Sequence, residues 1–199
     1  MASATRERPP LIEEDALDDL VRAAIGRVRG RVLEVGAGEG ENFGAYDPSV
    51  EWLGLEPDAE RRAELARRAH EWSHRDRAPF DAVCESIPLA DASVDAVVGT
   101  YMLCSVTDMA TALAEVRRVL VPGGRVVFAD HVVSPPRTLH RAVQRAATPF
   151  TVRFDDGCHL DRDTAAALDA AGFVADRVTA VRVGSVLRVP VLLFEGHAP

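Results

Sequence analysis

Arg31-Val-Leu-Glu-Val-Gly-Ala-Gly-Glu-Gly40 is the stretch on which the reading of this chain turns. A short apolar strand, Arg31 to Val35, runs straight into glycines at positions 36, 38 and 40. A strand that ends in such a turn ahead of a helix leaves backbone N–H groups pointing outward. Glycine there lets a ligand approach without a Cβ in the way. The dinucleotide-binding pattern G-x-G-x-x-G would place its third glycine at position 41, where Glu41 stands. Glu34, Glu39 and Glu41 set three carboxylates in and beside the turn. They would repel a pyrophosphate and suit a ligand with a sulfonium and an ammonium but no phosphate.

Outward from this turn, strand and helix patterns alternate. Apolar residues at helical spacing between Leu11 and Val28 predict an amphipathic helix before the turn, with acidic residues early and arginines late. After it, strands are expected at 51–55, 80–84, 94–99 and 125–129, with helices at 57–71 and 108–120. Pro122-Gly-Gly124 stops the second of these helices. A last helix is expected at 163–171, then strands at 174–183 and 186–195 joined by a tight Gly184-Ser185 turn. The pattern implies an α/β fold. Its Rossmann-like sheet would be seven-stranded and mostly parallel, with helices on both faces and a C-terminal antiparallel hairpin.

All 199 residues are read as a single domain, with residues 1–28 as an N-terminal segment and helix. Residues 134–160 stand apart, with three prolines and an Asp155-Asp-Gly157 turn around a short helix at 138–147. They read either as an insertion covering a substrate or as an ordinary long crossover. Leu139, Val143, Phe150, Val152 and Phe154 in that segment suggest a partly apolar pocket.

Glu56 follows the second strand, about 20 residues after the glycine turn. In nucleoside-binding folds an acidic side chain there meets ribose hydroxyls. The plainer reading is a loop carboxylate before Pro57.

Composition narrows the partners. Acidic residues outnumber basic ones 31 to 23, for a formal charge of -8, and no cationic run could track phosphates. Nucleic acid is therefore not an expected partner. Cys84, Cys104 and Cys158 are odd in number, far apart and in no CxxC arrangement. They imply neither a disulfide framework nor a metal site, and they fit a reducing cytoplasm. No apolar stretch approaches the length of a membrane span, so a cytoplasmic monomer or homodimer is expected.

The ordered set Val32–Gly40, Gly54-Leu-Glu-Pro-Asp58, Glu85–Val98 and Glu115–Arg125 resembles the type 11 group of class I S-adenosylmethionine-dependent methyltransferases. The likeness covers roughly residues 31 to 131. Glu41-Asn-Phe43, Thr100–Val106, Asp130-His-Val132 and Asp156–Leu160 are similar to one branch, the methyltransferase-like enzymes that methylate alkyl thiols. Animal members carry an apolar N-terminal anchor that is not expected here. The resemblance implies S-adenosylmethionine as cofactor and a small-molecule acceptor, a thiol by preference. Oxygen and nitrogen nucleophiles, quinone precursors and lipid head groups are the alternatives.

The resemblance also assigns positions. Glu34, Gly36, Ala37 and Gly38 would surround the methionine part, Glu34 facing its ammonium through water. Glu56 would take the ribose hydroxyls, Pro57 would lie near the adenine, and Cys84 and Glu85 would meet the adenine edge. Thr100 would offer its carbonyl to the ammonium, with Leu103 packed nearby. Many relatives have an Asp where Val83 stands, so adenine recognition would fall to backbone groups or Glu85. For catalysis, His131 at the end of the fifth strand reads as a base or thiol orienter, or as a histidine that shapes its loop. Asp130, Tyr101 and His159 are the other candidates, with His159 alternatively capping the next helix.

Overall fold

The computed structural model describes residues 9–73, 78–154, 156–184 and 189–199. Among these residues six strands form one sheet in the order β2-β1-β3-β4-β6-β5. They are β1 (Arg31–Val35), β2 (Glu51–Leu55), β3 (Val94–Thr100), β4 (Leu120–His131), β5 (Val174–Val183) and β6 (Val189–His197). β2, β1, β3 and β4 are parallel, whereas β6 runs antiparallel to both β4 and β5. Among the described residues five α-helices flank it: α1 (Glu14–Ile25), α2 (Ala59–Ser73), α3 (Met109–Val119), α4 (Leu139–Phe154) and α5 (Thr164–Ala170).

Alternation along the strands divides the core in two. Leu33, Val35, Leu53, Val97, Val126, Phe128 and Phe194 face α3 and α5. Val32, Trp52, Ala96, Val98, Val127 and Leu193 face α1 and α2. Strands apolar on both faces are what a sheet covered on both sides requires. α1 shows the matching helical logic, since Leu17, Val21, Ala24 and Ile25 fall on one buried stripe. Each fully buried large side chain of this kind contributes roughly 1.5–3 kcal/mol.

The seventh strand, expected at Phe80–Cys84, is not formed. Phe80 makes one bridge to Leu55 at the outer edge of β2, with its N–H on the Gly54 carbonyl and its carbonyl accepting from Glu56. The next rung would need the Glu56 carbonyl and the Asp58 N–H. Arg62 donates to that carbonyl at 2.8 Å, and the Asp58 N–H goes to the Glu56 side chain at 2.9 Å. Side-chain bonds have taken both ladder groups. The sheet ends at six strands.

β4 starts earlier than expected, at Leu120, and carries a register shift opposite Val94–Ala96 where Pro122-Gly-Gly124 bulges. α4 is longer than expected and contains Pro149. The Thr148 hydroxyl donates to the Gln144 carbonyl just before that proline, whose missing N–H leaves the Arg145 carbonyl without its ladder donor. The expected Gly184-Ser185 turn runs into residues 185–188, and Asp155 of the expected turn is likewise outside the described residues.

A buried amide helps tie the 134–160 segment to the end of β4. Gln144 Nε2 donates to the carbonyls of Val132 and Leu160, both at 2.9 Å, and its Oε1 accepts from the Ser134 N–H at 2.7 Å. That triple bond network fixes the chain just past His131. Among the described residues no helix is long and apolar enough to cross a membrane.

Candidate functional site

A cleft of about 1030 Å³ opens at the carboxyl ends of β1, β2 and β3. This is where an open α/β sheet receives ligands. The glycine turn forms its floor, with Gly36 at φ +62° and Gly38 at φ +55°. A Cβ added at Gly36 would come within 2.9 Å of the Met102 Cβ, so the turn passes tightly under the loop after β3. Ala37, between them, bonds its N–H to the Leu55 carbonyl at 3.1 Å, tying the turn to β2.

Glu56 is 5% exposed and lines the cleft. Its Oε2 accepts from the Gly38 N–H and its Oε1 from the Asp58 N–H, each at 2.9 Å. These bonds aim the carboxylate and leave each oxygen a second lone pair. Two vicinal hydroxyls are the natural complement of such a fixed, two-oxygen acceptor.

The lining is strongly acidic. Asp18, Glu39, Glu41, Glu56, Asp58, Glu85 and Asp156 set seven carboxylates against the two guanidinium groups of Arg22 and Arg61. Arg61 is already paired with Asp156 at 2.6 Å, a bond that reaches from α2 to the 134–160 segment. A phosphate would meet net repulsion here, and a cation would not.

Glu34 lies beneath the floor rather than in the lining, at 1% exposure. Its Oε2 accepts from the Trp52 indole and its Oε1 from Asn42 Nδ2, each at 2.7 Å. Burial raises its carboxyl above the usual range, against these hydrogen bonds, which lower it. Asn42 also donates to the Thr100 hydroxyl at 3.0 Å. Glu34 therefore orients Asn42 and, through it, Thr100 at the cleft wall. Sequence reading singled out Glu34 and Thr100 but missed Asn42 and Trp52, which join them. Trp52 pairs with Val32 and Glu34 with Gly54, so the two side chains share one face of β1 and β2 two positions apart, and that shared face was the available signal.

Pro57, Cys84 and Val83 line the far end of the cleft. Burial pushes the Cys84 thiol up, so it is inert packing at neutral pH. Glu85 also lines the cleft, but its Oε1 accepts from the N–H groups of Thr107 and Asp108, holding the loop before α3. Leu103 is fully buried in the core with Met102 and does not line the cleft.

Tyr101 lines the cleft with its backbone in the left-handed region, at φ +55°. A non-glycine residue there costs roughly 1–3 kcal/mol and is typical of working sites. Desolvation pushes its phenol up to about 12, which makes it a donor rather than a base at neutral pH. Its ring lies 5.1 Å from that of His131. His131, Asp130 and His159 are set behind this wall and do not line the cleft itself. Asp130 is 1% exposed, and its Oδ1 accepts from the Cys104 N–H at 3.2 Å. Burial raises its carboxyl well above the ordinary value. His159 donates its backbone N–H to the Cys104 carbonyl, and burial lowers its imidazole. The cap of α5 is the Asp163 side chain, not His159.

The apolar residues expected to form a pocket point elsewhere. Leu139, Phe150 and Phe154 on α4 are 78%, 68% and 79% exposed, and among the described residues none lines the cleft. Leu139 and Val143 border a separate groove of about 120 Å³ against Val189 and Pro190.

Residues 33–128 match the profile of the methyltransferase domain family. The chain carries a methyltransferase domain. It is similar to thiol S-methyltransferase TMT1B of Rattus norvegicus, at 37% identity over 144 residues, which is 71% of this chain. The chain spans 59% of the length of that curated relative. In fold it is similar to the YcgJ protein of Bacillus subtilis, with a TM-score of 0.73 at 18% identity, covering 92% of this chain and 98% of the other. It is also similar to geranyl diphosphate C-methyltransferase from Streptomyces coelicolor, solved with S-adenosyl-L-homocysteine, Mg2+ and geranyl diphosphate. That likeness has a TM-score of 0.70 at 14% identity and covers 94% of this chain and 81% of the other.

Proposed function

We propose that this chain is an S-adenosylmethionine-dependent methyltransferase of a small molecule, with a thiol as favoured acceptor. The observation that carries the reading is the acidic cleft over the glycine turn, with Glu56 held by two backbone N–H groups as a two-oxygen acceptor. Those residues fit the cofactor: no phosphate has to be accommodated, the glycines leave room for its methionine part, and Glu56 can accept from both ribose hydroxyls. The thiol preference draws on the similarity to thiol S-methyltransferase TMT1B.

When bound, S-adenosylmethionine supplies an electrophilic methyl on a sulfonium. The chain's part is to align the acceptor with that methyl and exclude water. Gly36, Ala37 and Gly38 set the floor; Asn42, oriented by Glu34, fixes Thr100. Tyr101 forms the wall after β3 where the acceptor would lie, with His131 behind it at the end of β4. A thiol, with an ordinary pKa near about 8.5, needs less help to ionise than an alcohol, so no strong base is required of this wall. Residues 134–160 act as the cover, a role supported by the Arg61–Asp156 pair across the mouth of the cleft. The lack of a cationic track argues against nucleic acid as substrate, and three cysteines outside any disulfide suit a reducing cytoplasm.

The test is transfer of an isotopically labelled methyl from the cofactor to a panel of alkyl thiols, phenols and amines, read by mass spectrometry. Label is expected in thioethers first. Label in phenols or amines but no thiol would refute the acceptor class, and no transfer to any member would refute the catalytic reading.

A further inference from the structure

Two of the three cysteines, 54 residues apart in sequence, meet behind the acceptor wall. Cys158 Sγ lies 3.5 Å from Cys104 Sγ and 3.6 Å from His131 Nδ1. The three ligating atoms all fall within 4.8 Å of one another. Zn–S bonds of about 2.3 Å and Zn–N bonds of about 2.0–2.1 Å at tetrahedral angles give S···S near about 3.8 Å and S···N near about 3.6 Å. The observed separations are therefore close to two edges of a zinc tetrahedron.

The three residues come from separate segments that are pinned together. Cys104 sits in the turn after β3, with its N–H on Asp130 Oδ1. His131 ends β4. Cys158 is fixed by the Thr151 hydroxyl on its carbonyl at 2.6 Å, and the next residue's N–H bonds to the Cys104 carbonyl at 2.8 Å. A second observation points to a cation. Asp130 is fully enclosed next to His131, and its Oδ2 has no hydrogen-bond partner among the described residues. A buried acid with an orphan oxygen is costly, and a nearby dication would offset that cost by favouring its ionised form.

We propose that Cys104, Cys158 and His131 bind a zinc ion whose fourth position receives the sulfur of the acceptor. Cys104 and Cys158 are buried, whereas His131 is partly exposed beside the Tyr101 ring of the cleft wall, so the open position faces that side. Three protein ligands with one open position are the arrangement of zinc sites that do chemistry. Binding of the ion releases the two cysteine protons. An acceptor thiol enters as a thiolate, giving its proton to solvent. Its sulfur then forms a bond to the methyl carbon as that carbon's bond to the sulfonium breaks. The thioether product, uncharged and a weaker ligand than a thiolate, leaves. The role of the fourth position rests on the thiol reading above; the metal site does not.

The test loads the reduced full chain with Co2+ as a spectroscopic stand-in for Zn2+. One equivalent per chain is expected, with sulfur-to-cobalt charge-transfer absorption and the intense visible bands of four-coordinate cobalt. Cys104→Ser and Cys158→Ser are each expected to weaken Co2+ uptake and to lose at least about half of the charge-transfer intensity, one of two thiolates being gone, with thermal melts reporting their folding. An added alkyl thiol is expected to shift the visible bands of the wild type. Absence of stoichiometric Co2+ uptake by the folded, reduced wild type would overturn the site, as would uptake that survives both cysteine changes. Bands that ignore the thiol would overturn the open position. Thiol methylation at full rate by metal-stripped protein would overturn the inference and leave the methyltransferase function standing. Metal uptake without methylation of any thiol supports the site and counts against the thiol function.

Discussion

Replacing Glu56 by alanine removes a carboxylate whose two oxygens each accept a backbone N–H at 2.9 Å, from Gly38 and Asp58. In the proposed complex the same carboxylate also accepts from the ribose hydroxyls. Hydrogen bonds to a charged group contribute about 1.5–3 kcal/mol net, and the lost bonds here are shared between folding and binding. The expected loss in S-adenosylhomocysteine affinity is about 1–3 kcal/mol, or roughly 5- to 150-fold in Kd. Isothermal calorimetry reads the affinity, and a urea melt of the unliganded variant reads how much of the change is stability. Glu56→Gln keeps one acceptor oxygen at the same reach and is expected to fall between wild type and alanine. An unchanged Kd in a folded alanine variant would refute the ribose role and leave Glu56 as a loop carboxylate that only pins the glycine turn.

Gly36→Ala places a side chain at φ +62° against Met102; urea unfolding is expected to show a loss of at least about 1–2 kcal/mol, and an unchanged midpoint would contradict the tight approach of the two loops. Trp52→Phe deletes the indole donor to buried Glu34 and is expected to cost at least about 1–3 kcal/mol of stability, again by urea unfolding, with no loss counting against the buried pair. Asp108 caps α3, accepting from the Thr111 hydroxyl and from the Thr111 and Ala110 N–H groups, and these bonds, the hydroxyl's foremost, lower its carboxyl below the ordinary 3.8. A depressed carboxylate stabilises above its unfolded value and loses that contribution as pH falls through its folded one. Asp108→Ala is thus expected to melt below wild type at neutral pH, with the gap closing below about pH 3.8; a gap that stays constant into acid would contradict the cap.

Much of the fold was legible because its signals are local. β1 and β2 fall where the apolar runs and glycine punctuation put them, and Asp108 and Asp163 cap the helices that follow them. The seventh strand failed because Arg62 and the Glu56 carboxylate claim the groups of its next rung, a competition that residue type does not reveal. The glycine turn, Glu56 and Thr100 reach one cleft as their positions after β1, β2 and β3 implied. Gln144, Asn42 and the Cys104–His131–Cys158 cluster were invisible because each depends on a distant pairing. Cysteine spacing alone excluded a metal arrangement; folding brings two of them to 3.5 Å. The apolar residues of α4 misled for the opposite reason: amphipathic spacing says that a helix has an apolar face, not which way that face turns.

Parallel calorimetric titration of the purified chain with S-adenosylhomocysteine and with NADH tests the central claim, an acidic cleft built for a nucleoside without phosphate. Saturable one-to-one binding of S-adenosylhomocysteine and no heat from NADH is the expected result. Tight NADH binding, with none for S-adenosylhomocysteine, would contradict it.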